Sequence, residues 1–337
     1  MNLTSPRLDR ALGILLSALA FSSLITHAQS CKTSSELDDA PRAAIATAGQ
    51  RYFDLAAKGD VVSLRQNAIP SLAADFSVVE TRVKDRQADL AGAQAAAKSM
   101  FLLETEGKDP IPHAEFLCGV FGKNGQTSDS AAFYFDNLAP GKYAVVLLDA
   151  NSQKTRTNFA AILQQLGTEW KLADLYLGPA QIAGHDSDWF VARAREYKSK
   201  GQLHNAWLFY LQARSLISPL SFISTLATDR LYEEIQRVQP ADFPGSGKTA
   251  DLAAGTATYK LTTIFPAGVG ADLDLIVKYQ AADISNTNLA YQNNVAVIKA
   301  LVVKYPEVRD AFAGVVARAV DPSGRDYGTL LAMKDVK

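Results

Sequence analysis

The chain of 337 residues has few of the residues that announce a mechanism. It holds two cysteines, Cys31 and Cys118, and four histidines, His27, His113, His185 and His204. Two cysteines cannot build a thiolate cage for a metal. The histidines show none of the paired spacing of a His-Glu-x-x-His zinc helix, so no metal site is expected. No Gly-x-Ser-x-Gly elbow occurs, and no persuasive Ser-Lys or zinc signature. An enzyme whose groups meet only in space leaves no such trace, but no cofactor motif is present either. Charge of one sign is also lacking: 34 basic against 35 acidic residues leave a net charge of −1. Without a basic stripe interleaved with aromatics, a nucleic-acid partner has no electrostatic footing. Polyacidic and polybasic tails are absent. Beyond residue 28 no apolar run reaches the roughly 20 residues of a membrane-crossing helix, so no transmembrane span is expected after removal of the leader.

What is there begins with that leader. Arg7 and Arg10 precede an apolar stretch from Ala11 to Ile25, and Thr26-His27-Ala28 places small residues at −3 and −1 of a signal-peptidase site. Residues 1–28 read as a signal peptide, and the mature chain is expected in the periplasm or outside the cell. In an exported chain the two cysteines suit one disulfide, Cys31 to Cys118. The competing reading is a lipid anchor on Cys31, although Ala28 and Gln29 fit the residues before a lipidated cysteine poorly.

Residues 29–41 are polar and read as a flexible lead-in. From 42 to 180 helical spacing gives way to strand alternation. Ile45, Ala48, Tyr52 and Leu55 mark one face of a helix over 42–58. Gly59 stops it, and Asp60 caps a short second helix over 61–68. Residues 71–100 are alanine-rich and read as mostly helical. Strands follow at 114–121, then 131–137 and 143–149 as a hairpin around Pro140-Gly141, then 159–166 and 169–177 around Gly167-Thr168. Helices first and an antiparallel meander second make an α+β domain.

The run Ala48-Gly-Gln-Arg-Tyr-Phe-Asp-Leu-Ala-Ala-Lys-Gly-Asp60, the short second helix and the late Trp170-Lys-Leu-Ala-Asp-Leu-Tyr176 resemble the NTF2-like (SnoaL-like, cystatin-like α+β) superfamily. That resemblance implies a pocket between the first helix and the sheet. In some members the pocket takes a small apolar ligand, and in a few a carboxylate transfers a proton. Tyr52 would face the pocket, with His113 and Glu115 as the nearest polar companions. No Asp or His here matches a catalytic position, so no catalytic residue is carried over.

Gly184 to Pro219 reads as two amphipathic helices joined at Gly201. Ala194, Tyr197, Gly201, Ala206, Tyr210 and Ala213 are spaced like one tetratricopeptide unit. A lone unit cannot bury its own faces, and no second copy follows. The hub, 184–238, with a third helix over 221–238, is therefore expected to act as a bracket between two domains. Its Trp189, Tyr197, Trp207 and Tyr210 would pack on them. Residues 239–255, rich in Pro and Gly, read as a linker. Residues 256–337 read as a second small α+β unit. It has strands at 256–265 and 273–280 and a helix over 288–305 with the stripe Tyr291, Val295, Ile298, Val302 and Tyr305. A final strand pair surrounds Asp321-Pro-Ser-Gly324.

Three tempting clusters have plain explanations. Gly245-Ser-Gly-Lys-Thr249 resembles the end of a phosphate loop, but Asp242 stands where the first glycine belongs and no strand precedes it. His185, Asp186 and Asp188 fit a helix start better than a metal site, with Asp186 or Ser187 as the cap. Asp272 and Asp274 fall on one side of a strand and read as an exposed face. The expected role is an exported, non-catalytic binding or interaction module whose partner is another envelope protein or a small apolar ligand. The alternative is an isomerase or hydrolase of the NTF2-like kind. Function is to be sought where the bracket meets the first sheet.

Overall fold

A computed structural model describes residues 29–121, 125–217, 220–245 and 247–337. The expected leader, residues 1–28, lies outside them. The first unit comprises β1 (Gln29–Thr33), α1 (Asp39–Ala57), α2 (Val61–Gln66), α3 (Pro70–Ala74), α4 (Ser77–Leu90), β2 (Gln94–Thr105), β3 (Ile111–Cys118), β4 (Ala131–Leu138), β5 (Gly141–Asn151), β6 (Arg156–Leu166) and β7 (Glu169–Pro179). An antiparallel sheet of order β1-β2-β5-β6-β7 forms its middle layer. Successive residues of a strand point to opposite faces. Leu102, Val146, Phe159 and Leu163 therefore pack under α1 and α4, against Tyr52, Phe53, Val79 and Val83. Phe101, Leu103, Val145 and Ala160 pack against the opposite layer, where Phe116 of β3 and Phe133 of β4 lie. Gly49 lets α1 settle onto the sheet: a Cβ there would fall 2.6 Å from Val146 Cγ1.

The Cys31–Cys118 disulfide is present, with Cα atoms 5.0 Å apart, and joins β1 of the middle sheet to β3 of the outer one. Its sulfur is thus engaged where a lipid anchor would need it free. Residues 29–33 are not a flexible lead-in. They pair with β2 from Gln29 opposite Thr105 to Thr33 opposite Phe101. Two further readings are corrected. Gln94–Met100 is strand, not helix, because Met100 to Leu103 must feed both faces of the central sheet. The turn at Pro140-Gly141 does not close a hairpin: β4 pairs with β3, while β5 pairs with β2 and β6. The hairpin of β6 and β7 around Gly167-Thr168 forms as expected.

A two-residue hairpin of β8 (Gln181–Ile182) and β9 (His185–Asp186) leads into the helices. Its Ala183 and Gly184 have φ of 49° and 78°, the left-handed pair that a type I′ turn requires. Then come α5 (Ser187–Ser199), α6 (Leu203–Ile217), β10 (Ile223–Thr225) and α7 (Leu226–Val238). Strand β10 returns to the first unit and pairs with β4, completing the outer sheet β10-β4-β3.

The last unit is a five-stranded sheet of β11 (Ala250–Ala254), β12 (Ala257–Val269), β13 (Asp272–Gln280), β14 (Gly314–Val320) and β15 (Asp326–Ala332), in that order, with α8 (Thr287–Lys304) on it. The pairing is antiparallel except between β13 and β14, which are joined through α8. The helical hairpin and this sheet share one core, in which Phe190, Tyr197 and Phe209 meet Leu275, Val277, Ile298 and Leu301. The hub is thus one body with the C-terminal unit. The expected linker is no linker. Phe243 is buried between Trp207 and Tyr305, and Tyr305 donates to the Asp242 carbonyl. His204 fixes the same segment. Nδ1 lies 2.5 Å from Glu307 Oε1 and Nε2 lies 2.9 Å from Asp242 Oδ1. Burial pulls the Asp242 carboxyl up, but the His204 hydrogen bond and charge bring it below its ordinary value. The stripe of α8 is also shifted from the expected one: Tyr291 is exposed, and the helix buries Asn294, Val297, Ile298, Leu301 and Val302. Asn294 tolerates this because its amide accepts from the Tyr279 hydroxyl and donates to Tyr327 O and Thr329 Oγ1. No helix among the described residues is long and apolar enough to cross a membrane.

Candidate functional site

Tyr52, expected to face a pocket, is fully buried, and its hydroxyl lies 2.9 Å from both the Asn67 and Trp170 carbonyls. Arg51 Nη2 donates to the same oxygen at 2.9 Å. Burial raises the Tyr52 hydroxyl above its ordinary value, opposed by the Arg51 charge. A phenol held this way links α1 to the loop before α3 and to β7. His113 and Glu115 are not its companions. They lie in the outer sheet, on the far side of the central one from Tyr52. His113 is largely exposed and pairs with Asp136 at 2.8 Å. Glu115 is exposed, and its backbone N–H donates to Gln29 Oε1.

The other candidates resolve simply. Asp186 caps α5 by accepting from the Trp189 N–H at 3.1 Å, and His185 stacks on the Trp189 ring with centroids 3.6 Å apart. Gly245 and Lys248 exchange backbone hydrogen bonds and lead into β11, so no helix N-terminus stands behind them to hold a phosphate. Asp272 is exposed as expected, but Asp274 is buried beside Gly314. Burial, and then the Asp272 charge, raise the Asp274 carboxyl. No cluster of three or more metal-ligating side chains exists among the described residues.

The polar groups that do converge lie where the first sheet meets the helical hairpin. The junction is built by side-chain to backbone bonds. Buried Asn158 of β6 donates to Leu216 O of α6 at 2.7 Å, and Ser187 donates to Ala213 O at 3.0 Å. Above it opens a cavity of about 440 Å³, walled by the end of α4, the β5–β6 turn, the Ala183-Gly184 turn and the Gly270-Ala271 turn of the last sheet. All three units of the chain contribute to it. Its charged lining is Arg86, Lys154 and Arg156 against one carboxylate, Asp89. Arg86 pairs with Asp89 at 3.1 Å. Arg156 pairs with Asp186 at 3.3 Å, so the helix cap also orients the guanidinium. Lys154 makes no ion pair among the described residues. Ser152 holds its turn by accepting from the Lys154 and Thr155 N–H groups, and the Thr155 hydroxyl donates to Asp89 O. A neighbouring recess of about 130 Å³ continues from Arg156 past Lys98, Asp149 and Asp188.

Sequence reasoning pointed to the meeting of the bracket and the first sheet but named none of the residues around this cavity. Arg86 stands far from Lys154 and Arg156 in the chain. The Lys-Thr-Arg triplet at a turn was the one local signal, and it is a common one. Comparison with protein-family models, with curated proteins and with solved structures finds no match.

Proposed function

We propose that this is an exported, non-catalytic binding module of the periplasm or cell envelope, and that it holds a small anionic ligand in the junction groove. The observation that carries the reading is a surplus of one cation, Lys154 beside Arg86 and Arg156 that are paired with Asp89 and Asp186, around a cavity to which all three units contribute. Guanidinium groups already fixed by Asp89 and Asp186 present preorganised donors, which suits carboxylate or phosphate. Relationship to the NTF2-like superfamily remains part of the proposal and rests on the order of elements over 42–180. The apolar pocket of that resemblance has no support at Tyr52, whose hydroxyl is engaged by two carbonyls. Export rests on the leader pattern and is in keeping with the disulfide.

The test is thermal melting in orthophosphate and in citrate, each against chloride at matched ionic strength. The midpoint is expected to rise with one of the two anions in the wild type and to stay fixed in the Lys154→Gln, Arg156→Gln double variant. Equal shifts in both proteins, or none in either, would sink the reading. Export is checked separately by the mass of the secreted chain, expected to begin at Gln29.

A further inference from the structure

The edges of the three larger sheets differ in how they are closed. At β7, Leu172 exchanges backbone bonds with Asn67 and Ile69, and Arg82 donates to Leu175 O. At β15 one side chain, Asn294, donates to Tyr327 O. Strand β11 likewise meets one side chain, and its edge adjoins a cavity. It forms a hairpin with β12 whose loop is Gly255-Thr256, so the closing pair Ala254 and Ala257 is hydrogen-bonded. Alternation then turns the N–H and C=O of Leu252 and Ala250 toward β12, and those of Ala253 and Asp251 outward. The one outward group with a partner among the described residues is the Asp251 carbonyl, which accepts from Lys304 Nζ at 3.2 Å. Beside this edge lies a cavity of about 740 Å³, walled on its far side by the flank of α8. The small Ala300 leaves room beside the strand, Val303 is 78% exposed, and Lys299 has no ion pair among the described residues.

We propose that β11 is a docking edge that takes an extended, acidic segment of a partner protein as a sixth strand. An unpaired edge offers backbone donors and acceptors to an incoming chain, and flanking side chains choose its sequence. Here Ala253 supplies both an N–H and a C=O, and the Asp251 N–H a third group. Lys304 occupies the place of the incoming N–H at Asp251. When displaced, its ammonium joins Lys299 beside a carboxylate of the ligand, while Ala300 and Val303 receive an apolar side chain. This surface lies apart from the junction groove and does not depend on it.

A displayed library of random octapeptides, selected on the disulfide-bonded protein, supplies the probe. Enriched sequences are expected to alternate β-branched and polar residues and to carry an acid. The synthesised peptide is then titrated by fluorescence anisotropy. Ala253→Pro removes an outward N–H while leaving the β12 ladder intact, a position where an edge strand accepts proline. Lys299→Glu reverses the charge on an exposed helix flank and keeps the test decisive should the proline variant misfold. Each is expected to weaken binding by roughly tenfold or more. No enrichment, or peptides that bind wild type and Lys299→Glu equally well, would overturn the proposal.

Discussion

Opening the Cys31–Cys118 bridge gives the most direct measure of how the first unit is held together. The bridge spans 87 positions. On the chain-entropy model, a loop of that length removes about 4 to 5 kcal/mol of unfolded-state freedom at 25 °C. The enclosing unit, 29–179, has an unfolding entropy of about 0.3 kcal/mol/K from the usual per-residue value, so the loss corresponds to roughly 12 to 16 °C in its midpoint. The replacement to use is Cys31→Ala with Cys118→Ala. Cys118 is fully buried among Phe101, Phe116 and Phe133, and serine would add an unpaired hydroxyl there. Calorimetry of wild type, reduced wild type and the double variant should show the first-unit transition shifted down in the last two. Amide exchange should show the N–H groups of Ser30 to Thr33 losing protection first, because β1 is an edge strand held by one neighbour and the bridge. A transition within about 3 °C of the oxidised protein would refute the argument, since it would mean that β1 pairing alone fixes the arm.

Four further outcomes follow from the same geometry. Tyr52→Phe removes the hydroxyl from between the Asn67 and Trp170 carbonyls, which keep the Leu172 N–H and Arg51 as donors, and should cost about 0.5 to 1.5 kcal/mol in urea unfolding while leaving anion-induced shifts unchanged. Gly49→Ala forces a methyl against Val146 and should cost about 1 to 3 kcal/mol by the same measurement. Asp321, held by the Ser323 hydroxyl and then by Arg325, has its carboxyl drawn down to about 2 from 3.8. Its contribution is therefore present above the unfolded value and lost as pH falls toward 2, so wild type and Asp321→Asn should converge in urea midpoint in acid. Asp274 has the opposite sign. Its carboxyl is raised, so the folded state is penalised as pH climbs from the unfolded value through the folded one. Asp274→Asn should be the more stable protein at neutral pH, with the difference closing in acid; a wild type that is the more stable of the two at pH 7 would show that Asp274 is satisfied as an anion.

What could be read from the chain was whatever its neighbours in sequence decide. The α5–α6 hairpin, the β6–β7 hairpin and the β14–β15 pair follow from periodicity interrupted by Gly201, Gly167 and Asp321-Pro-Ser-Gly324. The disulfide followed from cysteine count and the expectation of a leader. Partner choice among strands was not legible. Pro140-Gly141 is a sound turn, yet β4 and β5 belong to different sheets, because Phe133 of β4 packs on Phe101 from across the layers. The alanines at 95–97 favour helix, but their position in β2 opposite β5 overrides propensity. Asn294 concealed the true stripe of α8, since a buried amide with three partners looks polar in any periodicity count. Strand β11 was lost in the Pro/Gly-rich stretch for the same reason that its edge is exposed: it is short and small in side chain. The junction groove is the extreme case. Its cations come from α4 and the β5–β6 turn, which the fold of the first unit makes neighbours, and the turns at Ala183-Gly184 and Gly270-Ala271 close the cavity around them.

Strand β10 has a bearing on the order in which the protein can be made. Its Ile223 lies opposite Phe133, and the Phe222 carbonyl accepts from the Tyr134 N–H. The chain must therefore leave the first unit, build two helices and come back before the outer sheet is whole. At ordinary rates of synthesis, residue 225 emerges roughly 4 to 17 s after the end of β4. For that interval β4 presents a bare edge with Phe133 and Phe135 beside it, the kind of surface on which nascent chains stick to one another. Strands β5 to β7 emerge within the first half of that interval, and from then on the sandwich lacks only the three residues of β10. A protein arranged this way is vulnerable on the way to its fold rather than in it, because the edge of β4 is covered only by a segment made much later.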